Sequence, residues 1–157
     1  MDAASLTPQH ITEIRLDLRS IFEEACRETL EVVKATAEAI PDQHALSVDE
    51  MPWAQQQLAR ARDRVAQLLE RIAKGIDTLP QAEQDNDTLI FRVVCRTPTQ
   101  EGLLYDAVER FLIRWVVAAW FRMHPELKTE IDMDRETADL NHLTLMNGGT
   151  RRPSYCY

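Results

Sequence analysis

Between Leu89 and Phe121 the hydrophobic pattern of the chain changes from a two-residue alternation to a nearly unbroken apolar surface, and that change limits the fold more than any other feature. In the run Leu89-Ile90-Phe91-Arg92-Val93-Val94-Cys95-Arg96, the residues Leu89, Phe91, Val93 and Cys95 share one face of an extended strand. Ile90, Arg92, Val94 and Arg96 share the other, so one face is apolar and the other mixed. Thr97-Pro98-Thr99-Gln100 then has the form of a capping box, with Thr97 as cap, Pro98 where no amide donor is needed, and Gln100 reaching back. In the helix that follows, Leu103, Leu104, Ala107, Val108, Phe111, Leu112, Trp115, Val116, Ala118 and Ala119 cover more than one stripe. A helix apolar on several sides has to be covered on several sides, which predicts that it stands at the centre of a bundle.

The flanking sequence supplies the cover. Thr7 and Pro8 read as a cap and first helical residue, and Ile11, Ile14, Leu18, Ile21, Phe22, Ala25, Val33 and Ala37 recur at helical spacing, predicting a helix to about Ile40. Its other face carries charges at three- and four-residue spacing and reads as solvated. Pro41-Asp42 breaks it, because proline lacks an amide donor and disfavours helical geometry in the preceding residue. A second helix is predicted from Asp49-Glu50-Met51-Pro52, carried by Leu58, Ala61, Val65, Leu68, Leu69, Ile72 and Ile76 until Gly75 and Pro80 end it. Residues 81–87 are polar and aperiodic, an exposed connector. After His124-Pro125 a weaker helix is expected from Leu127 to Leu143, stopped by Asn147-Gly148-Gly149, and Thr150 to Tyr157 is too short to fold alone.

Length and charge exclude several classes of function. A chain of 157 residues can bury one sizeable core, and a formal net charge of -8 argues against coating nucleic acid; sequence-specific nucleic-acid binding is not expected. Cys26, Cys95 and Cys156 form no C-x-x-C pair and are odd in number, which favours a reducing compartment over a disulfide scaffold. Met1 to Ser5 have neither the charge nor the apolar stretch of a signal peptide, so a cytoplasmic protein is expected. The longest apolar run, Trp115 to Phe121, is far short of the roughly 20 residues a membrane span needs.

Chemistry-bearing patterns are sparse. Asp132, Asp134 and Glu136 alternate, but on a helix they diverge, and the glycine and further oxygen ligands of a calcium loop are missing. Asp139 and His142 stand three apart on one helix face, a spacing some metal sites use and one that is common by chance. Cys26 and Cys95 fall on apolar faces, and none of His10, His44, His124 and His142 is placed by sequence beside either thiol. Nucleophile elbows, phosphate-binding glycine loops and H-E-x-x-H motifs are lacking. No catalytic residue, metal ligand or cofactor is therefore predicted. Arg110 and Arg114 stand one turn apart on the apolar helix, either snorkelling, with Asp106 as an ion-pair partner for Arg110, or forming a stripe that faces another subunit.

The stretch Phe91 to Phe121, with Arg96-Thr97-Pro98 leading into Asp106-Ala107-Val108-Glu109-Arg110-Phe111-Leu112 and then Trp115-Val116-Val117-Ala118-Ala119-Trp120-Phe121, resembles small structural proteins of tailed phages and prophages of Bacteroidales-type bacteria. The closing Arg151-Arg152-Pro153, followed by aromatics, is similar to their C-terminus. The resemblance covers roughly the last 70 residues and is one of aromatic helix pattern. It implies an all-α, non-enzymatic subunit that forms a ring with itself at the virion neck and meets portal or tail proteins, found in the virion or the host cytoplasm. The predicted fold is mainly α: a bundle of about four helices with one short strand or hairpin before the central apolar helix. Residues 1–147 form a single domain and 148–157 a docking tail. Interface candidates are Arg110, Arg114, Arg151, Arg152, Tyr155 and Tyr157, arginine and tyrosine being the side chains that often dominate interface energy. The alternatives are a helical interaction adaptor of a bacterial or mobile-element system, and an enzyme whose site gathers His124, His142 or Asp139 from distant positions.

Overall fold

The computed structural model describes residues 10–80 and 87–148. In chain order it has strand β1 (His10–Asp17), helices α1 (Leu18–Ala35), α2 (Pro41–His44) and α3 (Met51–Leu68), strands β2 (Ala73–Pro80) and β3 (Asp87–Cys95), and helices α4 (Pro98–Arg122) and α5 (Asp134–Asn147). The fold is mainly helical with a small three-stranded antiparallel sheet, in which β3 lies between β1 and β2.

The strand expected before the central helix is β3. Leu89, Phe91, Val93 and Cys95 enter the hydrophobic core, while Arg92 on the opposite face lies 3.5 Å from Glu13 of β1. A lone strand leaves its amides and carbonyls unpaired on both edges, and the chain pairs them with segments that the helical periodicity had claimed. Residues 10–17 are strand and not the first two turns of a helix. Ile14 faces Phe91 and Leu16 faces Leu89 across the ladder, and Glu13, Arg15 and Asp17 take the alternate positions. The helix starts only after Asp17, whose carboxylate accepts from the amide of Arg19 at 3.0 Å and from the hydroxyl of Ser20 at 3.0 Å.

The second predicted helix is also shorter than its apolar stripe suggests. It ends at Leu68, and Ile76 lies opposite Phe91 in β2 instead of extending the helix. Gly75 is not a helix cap. It sits at a bulge in β2 with φ of 157°, a conformation that other residues rarely adopt. The expected last helix begins seven residues late, at Asp134. Pro125–Leu127 form one 3-10 turn, Lys128 is left-handed with φ of 53°, and the amide of Asp134 donates to Asp132 Oδ1 at 2.9 Å where the helix starts.

Thr97 caps α4 as anticipated, accepting from the amide of Gln100 at 3.1 Å; the reciprocal half of the box is not made, because Gln100 Oε1 is buried without a donor. Along α4, Leu104, Val108, Phe111, Leu112, Ile113 and the run Val116 to Phe121 are all buried. α1, α3 and α5 pack around it and the sheet closes the remaining side. α5 runs antiparallel to α4: Glu136 near its start meets Arg114, and Asn147 at its end accepts from the amide of Arg96 at 3.4 Å.

Phe91 is completely buried at the centre of the sheet, whereas Ile11 is 60% exposed. Urea unfolding of Phe91→Ala should show a loss of about 3–5 kcal/mol, and Ile11→Ala a change below about 0.5 kcal/mol. Equal losses at the two positions would contradict the strand register.

Candidate functional site

Two polar assemblies and one groove surround the C-terminal half of α4. The first assembly is a chain of alternating charges. Arg110 donates to Glu28 of α1, Arg114 Nη1 lies 3.9 Å from the other Glu28 oxygen, and Arg114 Nε lies 3.2 Å from Glu136 of α5. The Nε–H is not aligned on that oxygen and counts as an orphaned buried donor, so the Arg114–Glu136 contact is Coulombic and not a formed hydrogen bond. Glu28 and Glu136 are mostly buried, and each needs its arginine, since a desolvated carboxylate without a counter-charge is expensive.

The second assembly joins α2, α3 and the end of α4. Trp120 Nε1 donates to the carbonyl of His44 at 2.7 Å, and its ring packs against His124 and Trp53. Glu126 Oε1 lies 3.1 Å from His124 Nδ1 and 3.7 Å from His44 Nε2. The Glu126 carboxyl is held below its ordinary range, first by its own backbone amide and then by His124. One atom from each of the three residues falls within 4.8 Å of the others, close to the spacing of nitrogen and oxygen ligands on a divalent transition ion. The hydrogen bonding does not suit a metal. His44 Nδ1 accepts from the amide of Ile40 at 2.8 Å, which uses the single ring lone pair of a neutral imidazole and leaves the proton on Nε2, the atom that would have to ligate. Only His124 and Glu126 remain as donors, too few for a stable centre.

The groove lies on another side of α4, beneath the loop that joins it to α5. It encloses about 1010 Å³. Its floor is aromatic, from Phe111, Trp115 and Phe121; Arg64, Arg122 and Lys128 line it with positive charge, and Glu130, Asp132 and Asp134 with negative. Trp115 Nε1 is buried without an acceptor. Nothing in this lining couples a nucleophile to a base. It combines the part-exposed ring of Trp115 with side chains of both charge signs.

Arg110 and Arg114 are thus brought together, half exposed and mostly buried respectively, and both engage α1 or α5 carboxylates. The partner of Arg110 is Glu28 and not Asp106. Arg151, Arg152, Tyr155 and Tyr157 lie outside the described residues. Asp132 and Glu136 diverge, one into the loop and the other towards Arg114, while Asp139 and His142 line a shallow pocket beside Leu103 and Asp106 without meeting. Sequence reasoning missed the pairing of His44 with His124, which are 80 positions apart with no local signal. It also missed the groove, whose aromatics read only as core.

The charge chain predicts unequal losses. Glu28→Ala strands two arginines and should cost about 2 kcal/mol in chemical unfolding, whereas Arg110→Ala, at a half-exposed site, should cost less than about 1 kcal/mol. The tautomer of His44 predicts that zinc leaves the melting temperature unchanged at neutral pH; a rise that His44→Ala abolishes would show that the imidazole turns to ligate. Comparison with known protein families, with characterised proteins and with solved structures finds no match to this chain.

Proposed function

We propose that this chain is a non-enzymatic structural subunit of a tailed-phage virion, a head-tail connector or neck adaptor that assembles in a ring with copies of itself and contacts portal or tail proteins. The observation that carries the reading is the groove under the α4–α5 loop: an open, aromatic-floored channel of about 1010 Å³, walled by charges of both signs and lacking a coupled nucleophile and base. Such a surface binds a segment of another protein, with aromatic anchors at its centre and ionic contacts at its rim. The rest of the body suits a part that is loaded and not flexed. Arg114 of α4 ties α1 and α5 together through Glu28 and Glu136, and the run Val116 to Phe121 of α4 is buried. The likeness of residues 91–121 to phage structural proteins supplies the setting. Ring subunits need a heterologous contact, in which a patch on one copy meets a different patch on the next, and a groove on each copy is half of such a contact.

Light scattering after size exclusion, followed by negative-stain imaging, tests the reading. A closed ring of many subunits is expected, alone or when the portal protein is added. A monomer or dimer under both conditions would remove the connector reading and favour the single-copy adaptor.

A further inference from the structure

Building on the assembly reading, we propose that the groove beneath the 123–134 loop is filled by the segment Arg151–Tyr157 of a second copy of this chain. The segment Arg-Arg-Pro-Ser-Tyr-Cys-Tyr has two fixed positive charges, two tyrosines and no acidic side chain. The groove offers a partner to each. Glu130, Asp132 and Asp134 are exposed on its wall and carry no ion pair among the described residues, so they are free to take the arginines. Trp115, part-exposed above the buried Phe111 and Phe121, presents ring surface, and Arg64, Arg122 and Lys128 present cations that lie well over tyrosine rings.

Reach favours a neighbouring copy over the chain's own tail. The acids lie at or before the start of α5, while Gly148 follows its end, beside the start of α4. From Asp134 to Asn147 the helix extends about 20 Å at 1.5 Å per residue. From Gly148 to Arg151 the backbone spans at most about 11 Å even when fully extended. A tail turning back on its own groove therefore brings its arginines to the acids only when fully extended and through the length of the Arg152 side chain, whereas the tail of a neighbour entering from outside has no such limit. Each copy would give one tail and receive another, the head-to-tail contact that closes into a ring.

Disulfide trapping tests this in the full chain, because the tail carries its own cysteine at position 156. Thr137→Cys places a thiol on the groove wall, and Lys128→Cys serves on the loop should the first variant not fold. Cys26 and Cys95 compete poorly, since burial pushes both thiols up to about 11 and leaves them protonated. After mild oxidation, non-reducing gels and peptide mass spectrometry should show links between position 137 of one chain and Cys156 of another, absent when Cys156→Ser is added. Asp132→Lys with Asp134→Lys should cut the linked fraction about tenfold. Links only within one chain, or none above the Cys156→Ser control, would overturn the proposal. Light scattering on the same samples separates the two readings: large assemblies without the link remove the tail site and leave the connector reading, whereas linked pairs without large assemblies do the reverse.

Discussion

The apolar girth of α4 is the constraint on which the remaining structure depends. Eleven of its 25 residues are buried, including Trp120 and Phe121 at its C-terminal end, and a large apolar side chain gains about 1.5–3 kcal/mol on leaving water. A helix of that kind needs cover on several sides, and α1, α3, α5 and the sheet supply it, leaving Leu103, Asp106, Arg110 and Arg122 to solvent. The polar exceptions on α4 are placed accordingly. Arg114 can enter a mostly buried position only because α1 supplies Glu28 and α5 supplies Glu136, which gives both neighbours a geometric reference on the central helix. Trp120 does the same for the α2 region by donating to the carbonyl of His44.

The parts of this arrangement that rest on local signals were legible from residues. β3, the Thr97 cap and the buried role of α4 follow from period, capping chemistry and apolar coverage over short windows. The failures share one cause. Ile11, Ile14 and Leu18 fit a helical period, yet in the strand Ile14 and Leu16 also fit a period of two, and the open edges of β3 decide between them from nearly 80 positions away. Ile72 and Ile76 continued the stripe of α3 for the same reason, until the other edge of β3 claimed β2. The groove was illegible because Arg64, Trp115 and Asp132 come from three separate elements, and aromatics on a buried helix look alike whether they face a neighbour or a channel.

Functionally, the polar groups divide into those that are used up and those that are not. The Arg–Glu chain and the His44–Trp120–Glu126 cluster are paired by charge within the fold, although Glu28 Oε2, Arg114 Nε, Glu136 Oε2 and His124 Nε2 make no hydrogen bond, and His44 in particular is committed to the amide of Ile40. In the groove, by contrast, Glu130, Asp132 and Asp134 form no ion pair among the described residues. The left-handed Lys128 and the Asp132 contact to the start of α5 shape the loop beside the groove.

The central claim is that the 123–134 loop and its groove form the surface on which copies meet. Hydrogen–deuterium exchange on the full chain, compared between dilute and concentrated solutions, tests it most directly. If copies meet there, amide protection rises with concentration in residues 123–134 and in the C-terminal half of α4, while the sheet is unchanged. Protection that rises with concentration only elsewhere, with the loop exchanging equally fast at both, would contradict it.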